Sequence, residues 1–561
     1  MRPARLLVAA VVLTALTTFR APAEATAAPP TLAHLFPAGG QRGCKISVTC
    51  TGNFSWPVMA WAPGIEVVVG EESGKLEVSI PEHLATDRVW IRLYNAEGIS
   101  QAVPFLIGSL QEVVEREPNN ALDDAQPLEV SRATVNGVLG ESGDVDGFVV
   151  SLTAWQTLVA SVAAHDHLGS PMDAILQVAS TDGTVLAENH DDIGLDPRLA
   201  FTAPDTARYI VRLFAFPATP DTTIAFRGAA DYIYRLTLTT GPFLTQAVPA
   251  SVPESEPGTV QVHGWNIPPN TKLPVVPLGG TRLADHQEFE MRGDLRNPPA
   301  ARLGFAFAPE FAGGERIRLV AHEVLPGIVP SDGDAVTLAP SVTVTGRLKA
   351  RRQTDEYRLL LVQGQHVVIA VESRGLNLPL HSVVNLFDPA GGVVASIEPP
   401  EPQDIVITHA AAQEGVYRLT VGDRYRRGGD RCFYRLTVRL EQPDFELTAG
   451  ADAIVVTADQ PAEFPVTVQR RATPDGSIGA ITIEAVGLPA GVTAAPVVSE
   501  PDGPTAAKVS LVFSTTGEAF SGPIRIVGTA VAPNQIKRFA RAPARFGVGL
   551  ETIWLTAVAK P

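Results

Sequence analysis

The chain has 561 residues, too many for one hydrophobic core, so about four to five domains are expected. Gly (48) and Pro (47) are abundant and scattered evenly, charged residues make up 19%, and no long window has apolar residues at helical spacing. The formal net charge of −16 excludes a nucleic-acid or anionic-lipid binder that works by bulk attraction, while an acidic surface suits divalent cations.

In chain order, Arg2 and Arg5 precede an apolar run from Leu6 to Thr18, followed by Ala23-Glu24-Ala25 and Ala25-Thr26-Ala27. That is the layout of a secretion signal over 1–27, with an apolar core too short to span a bilayer. Its removal takes away Arg2, Arg5, Arg20 and Glu24 and leaves about −18. No later segment is long and apolar enough to be a transmembrane helix. Val-, Ile- and Thr-rich runs of four to eight residues then recur between Gly, Pro, Asp and Asn clusters, which predicts short strands joined by turns and an all-β protein.

The strand segment CKISVTC carries Cys44 and Cys50 on the face shared with Ile46 and Val48. Fully extended, their Cα atoms stand about 20 Å apart, beyond disulfide reach. With Cys432 they read as three small buried residues, a bridge from one of them to Cys432 being the alternative. Gly39-Gly40 and Gly313-Gly314 read as turns rather than phosphate loops, because no helix follows either pair.

Self-similarity organises the rest. VNGVLGESGDVDGF, WQTLVASV, SPMDAILQV and YIYRLTL in residues 135–238 return as VTGRLKARRQTDEY, GQHVVIAV, LPLHSVVNL and CFYRLTV in residues 344–438. The offset is 209 from Gly137 to Gly346 and from Gln156 to Gln365, and 200 from Tyr234 to Tyr434; FPATPDTTIAFRG in the first copy holds the extra residues. A shorter pair precedes each copy, with Pro37 matching Pro249 and Gly52 matching Gly264 at offset 212. The expected domains are a signal peptide (1–27), an Ig-like module (28–109), a first repeat (110–242), a second Ig-like module (243–330), a second repeat (331–442) and a C-terminal sandwich (443–561).

The duplicated domain resembles the bacterial pre-peptidase C-terminal family, a jelly-roll-like β-sandwich of exported proteins. The residues that carry this are Glu115-Arg116-Glu117-Pro118-Asn119-Asn120, Gly143-Asp144-Val145-Asp146-Gly147-Phe148, Leu195-Asp196-Pro197 and Tyr209-Ile210-Val211-Arg212. The second copy keeps the strands, lacks the E-P-N-N and has Gln353-Thr354-Asp355-Glu356-Tyr357 at the acidic turn. The preceding modules look like TIG/Ig-like domains, and the last segment, with Gly487-Leu488-Pro489-Ala490-Gly491-Val492, looks like Ig-like domains of large exported bacterial proteins.

Six residues of the first copy form a candidate calcium site: Glu115, Glu117, Asn119, Asn120, Asp144 and Asp146. Calcium takes six to eight oxygen ligands, and Glu115, Glu117 and Asn119 alternate onto one face of an extended segment. The resemblance implies calcium at this acidic segment and turn; a solvated linker turn is the alternative. The second copy is expected not to bind at the matching place. Asn189-His190-Asp191-Asp192, with Asp173 and Asp196, reads as a turn before a second cation site. His165-Asp166-His167 reads as an exposed strand-end pair, since no third ligand has recognisable spacing. Trp56, Trp61, Trp90, Trp155 and Trp265 read first as core residues, with Trp265, beside a turn, as the better exposed candidate.

H-E-x-x-H and G-x-S-x-G are missing from the sequence. The sequence therefore predicts an exported, non-catalytic binding or scaffold protein of the envelope or extracellular space, engaging protein or polysaccharide. A carbohydrate-binding array accessory to polysaccharide degradation, or a secreted hydrolase with an unfamiliar site, are the alternatives.

Overall fold

The computed structural model describes residues 28–253 and 335–558, apart from 83, 85, 130–131, 221, 223–224, 459, 473–475, 531–534 and 544–548. It also describes the segments 258–259, 261–267, 275–277, 288–289, 302–305 and 318–322. The expected signal peptide, Gly313-Gly314 and much of the second Ig-like module lie outside the described residues. What is described is all-β, with tandem two-sheet sandwiches. Among the described residues no helix is long and apolar enough to cross a membrane.

Alternation of apolar and polar residues creates each core. In the first module the strands Lys45–Thr51, Lys75–Ser79 and Arg88–Asn95 turn Val48, Leu76, Val78, Val89, Ile91 and Leu93 inward. The last module does the same with Phe445, Val466, Leu511, Phe513, Ile526 and Ile553. Cys50 and Cys432 are buried, but Cys44 is exposed, because the strand starts only at Lys45; all three are free thiols.

The two repeats share one strand order, apart from the edge strand Gln111–Val114 that one sheet of the first repeat adds. In the first, one sheet runs Gln111–Val114, Arg132–Val138, Ile233–Thr239, Thr157–Ala163, Arg198–Thr202. The facing sheet runs Gln126–Pro127, Asp146–Leu152, Ala207–Pro217, Met172–Ser180, Val185–Asn189. The second repeat gives Val342–Arg347, Phe433–Leu440, His366–Glu372, Ile405–Ala410 against Val336–Leu338, Asp355–Leu361, Gly415–Asp423, Ser382–Phe387, Val393–Ile397. Equivalent side chains fill both cores: Val135, Phe148, Leu158, Tyr209 and Leu236 in one, Val344, Tyr357, Val367, Tyr417 and Leu436 in the other.

An arginine in the same strand of each repeat fastens it to the module before it. Arg235 pairs with Glu112 at 2.8 Å and donates to Asn136 Oδ1 at 3.0 Å. Its guanidinium lies so close to Gly39 that a Cβ there would collide with it. Gly39-Gly40 is therefore part of a strand, Gly39–Gln41, kept bare for this approach rather than for a turn. Arg435 pairs with Glu372 and donates to the Ala250 carbonyl at 3.2 Å, while Ala250 N–H donates to Thr345 Oγ1 at 2.8 Å. The repeats meet through Arg374 on Asp166 and Arg431 on Asp192. The first and last modules meet through Arg92 on Asp452 at 2.9 Å, with Trp61 and Tyr94 packed on Trp554.

Candidate functional site

The first repeat concentrates its acids at one end of the sandwich. Asp146 begins a strand whose neighbour across the core carries Tyr234, and the segment after Val114 lays Glu115 against both. The Tyr234 hydroxyl lies 2.5 Å from Asp146 Oδ2 and 2.8 Å from Glu115 Oε2, with a single proton to donate to the pair. A Cβ at Gly137 would strike the Tyr234 ring and Glu115, so only glycine lets the two approach. Glu115, Glu117 and Asp146 offer oxygens that all lie within 4.8 Å of one another.

Burial decides the electrostatics. Asp146 is fully buried, and desolvation first, then the Glu115 charge, push its carboxyl far above the ordinary range. Burial also lifts Glu115, to about 7, despite bonds from Asp146, Val138 N–H and Tyr234 that favour its charged form. Without a cation, burial and the Glu115 charge therefore favour the protonated form of Asp146. Two buried polar atoms, Asp146 Oδ1 and Asn119 Nδ2, have no hydrogen-bond partner. A buried carboxylate oxygen without a donor is rare, and it is the kind of atom a metal ion satisfies.

The six sequence-predicted residues divide. Glu115, Glu117 and Asp146 converge, and Asn119 lies buried beside them, its backbone N–H donating to Glu117 Oε2 at 2.9 Å and its Oδ1 accepting from Gly147 N–H at 3.4 Å. Asp144 is turned into its own loop, accepting from Gly140 N–H at 2.6 Å. With its amide nitrogen toward Asp144, Asn120 donates to Asp144 Oδ1 at 2.7 Å. Asp144 acts on Asp146 only as a nearby charge. Tyr234 was not among the predicted residues. It lies 88 residues beyond Asp146 in sequence, although the match between YIYRL and CFYRL marks it.

The other predicted groups have different settings. His165–Leu168 is a single helical turn, not a strand end, because Asp196 accepts from the backbone N–H groups of Ala164 (3.1 Å) and His165 (2.7 Å). Both imidazoles are partly buried; His167 Nδ1 lies 2.6 Å from Asp196 and His165 Nδ1 3.0 Å from the Ser170 carbonyl. Asp192 pairs with Arg198 and Arg431, so its charge is spent on packing the two repeats. Trp265 is half-buried between Phe243 and Arg431, and Trp155, read as core, is 81% exposed. Its φ of 69° puts it in the left-handed turn position that Gly364 (φ 79°) fills in the second repeat. Trp56 donates to the Gly70 carbonyl, Trp61 rests on Trp554, and Trp90 is half-buried beside Arg88.

No protein family matches the chain, and no curated protein does. Among solved structures it is similar to the pre-peptidase C-terminal domain of a Bacillus anthracis collagenase, at 19% identity over 20% of this chain and 99% of that one, TM-score 0.16. Fibronectin(III)-like modules of Clostridium thermocellum CbhA match at 18% identity over 32% of this chain and 88% of that one, TM-score 0.11. The four N-terminal Ig domains of Dscam1 match at 9% identity over 95% of this chain and all of that one (100%), TM-score 0.19. These TM-scores decide nothing about function.

Proposed function

We propose that the chain is an exported, non-catalytic binding scaffold whose first repeat, a pre-peptidase-C-terminal-like domain, holds a structural calcium ion. Glu115, Glu117 and Asp146 would supply carboxylate oxygens, and Asn119 would add its amide oxygen in an alternative rotamer. The observation that carries this reading is the fully buried Asp146, its Oδ1 partnerless, in a cluster where Glu115, Glu117 and Asp146 each bring an oxygen within 4.8 Å of the others. Calcium replaces the proton Asp146 otherwise keeps, removes the repulsion among three acids, and fixes the segment that leaves the first module at Glu112. Asp144 and Asn120 brace the adjacent loop.

Thermal unfolding with calcium and with chelator tests the ion. At a hundredfold excess over the dissociation constant, the ligand adds about 2.7 kcal/mol, which raises the midpoint of a domain of this size by roughly 10 °C. The same midpoint in both conditions contradicts the reading.

Trp155 favours a second reading, a glycan-binding accessory array. A large ring held in a left-handed turn, 81% exposed, costs about 1 kcal/mol relative to glycine there and gives nothing to the core. Retention on an insoluble neutral glycan, lost in Trp155→Gly, supports it; retention that survives the substitution contradicts it.

A further inference from the structure

The loop that gathers acids in the first repeat gathers bases in the second. GESGDVD (140–146) aligns at offset 209 with KARRQTD (349–355). Gly143 occupies the left-handed region (φ 93°) in the first copy, and Arg352 (φ 66°) takes that position in the second. Gly143 N–H donates to the Phe226 carbonyl at 3.0 Å, and Arg352 N–H donates at 3.0 Å to the carbonyl of Arg426. Arg426 is itself left-handed at φ 58°. Two neighbouring arginines thus hold a backbone conformation that favours glycine, in a turn the sister domain builds with glycine and phenylalanine. Folding does not ask for either side chain.

Around this pair the surface is cationic. Arg351, Arg352 and Arg426 are exposed and form no ion pair among the described residues. Lys349 and Arg424 are exposed beside them, Arg424 with Glu398 at 3.1 Å. Gly428 packs so closely on the Ala350 backbone that the two loops form one surface. Tyr425 stands 62% exposed at its centre, with Arg427 over its ring at 5.3 Å and His381 at its edge. This is a concentrated positive patch on a chain of net charge −16.

We propose that loops 349–353 and 424–429 of the second repeat dock a carboxylate-bearing polysaccharide. Guanidinium forks pair with carboxylates in two-point geometry, and an exposed tyrosine ring offers a face to a sugar. Nucleic acid carries one charge per about 1.7 Å of duplex and is repelled by the rest of this acidic chain. A polymer with one carboxylate on each sugar is more sparsely charged and meets the patch with less penalty. The assignment rests on the reading of the chain as a binding scaffold and is independent of calcium.

The test is retention of the whole protein on immobilised polygalacturonate in chelator and low salt, beside neutral dextran, duplex DNA and phosphatidylserine vesicles. Selective, salt-released retention on polygalacturonate is expected. The double variant Arg352→Gly/Arg426→Gly should weaken it at least tenfold while unfolding at the same temperature or higher, since glycine relieves both left-handed positions. Tyr425→Ala should weaken it several-fold, also without loss of folding. Wild-type protein that passes through polygalacturonate, or a double variant retained like wild type, overturns the proposal. So does equal retention on DNA or vesicles lost in the same variant, which assigns the loops to phosphate. Unchanged calcium stabilisation of the double variant separates this outcome from the fate of the calcium reading.

Discussion

The two repeats are the same fold run to opposite electrostatic ends. Residues 110–242 hold 7 Lys and Arg against 19 Asp and Glu, a net of −12, whereas residues 331–442 hold 13 of each. The clearest difference lies at one pair of matched aspartates. Asp146 faces Glu115 and Glu117 and keeps a bare oxygen. Its counterpart Asp355 accepts from Tyr434 at 2.6 Å on one oxygen and from Gln353 at 2.7 Å on the other. Where the first copy has Phe148, the second has Tyr357, whose hydroxyl meets that of Tyr434 at 2.7 Å. One copy leaves an oxygen of its buried carboxylate without a donor, and the other satisfies both oxygens of a half-buried one. Gly137 and Gly346 are bare in both, because each lies under the matched tyrosine ring, Tyr234 or Tyr434. On the calcium reading proposed above, three or four side chains separate a metal site from a hydrogen-bonded core on one shared scaffold.

The junction arginines break this comparison most severely. Arg235→Ala leaves Glu112, 13% exposed, without its partner and should cost about 3–5 kcal/mol, read by chemical denaturation. Arg435→Ala leaves Glu372, which is 28% exposed and can be rehydrated, so the loss should be nearer 1–2 kcal/mol.

Acidity provides the next contrast. The raised carboxyls of Glu115 and Asp146 hold protons in the folded state that the unfolded chain has released. In chelator, stability from this pair is therefore full below about pH 4 and falls as pH rises through 7. Melting the protein between pH 5 and 8 should show a loss of several degrees in chelator and little loss in calcium. Glu115→Gln should remove much of that slope together with the calcium response.

Smaller effects sharpen the picture. Tyr434→Phe strips a donor from Asp355 and a partner from Tyr357, and should cost about 1–3 kcal/mol whether or not calcium is present. Trp155→Gly should leave stability within about 1 kcal/mol of wild type, since Gly364 shows that glycine suits the turn.

Much of this was legible in the sequence, for reasons of periodicity. Alternating runs such as VVIAV, with Val367, Ile369 and Val371 inward, announce strands, and a constant offset announces duplication. The acidic segment was legible because Glu115, Glu117 and Asn119 alternate along one stretch of chain. Tyr234 was not, because nothing local ties a core tyrosine to acids far away. Asp144 and Asn120 looked like ligands by type, yet their short side chains reach each other and a loop N–H first. The helical turn at His165 escaped because it is set by Asp196, about thirty residues on. Trp155 departs from the core setting expected of tryptophan, and its alignment with Gly364 carries the contrary signal.

Calorimetric titration of metal-free protein with calcium separates the two repeats. One calcium per chain is expected, with the heat abolished in Glu115→Gln/Asp146→Asn and unchanged in Asp355→Asn. No heat, or two equivalents with one lost in Asp355→Asn, would contradict the division between the repeats.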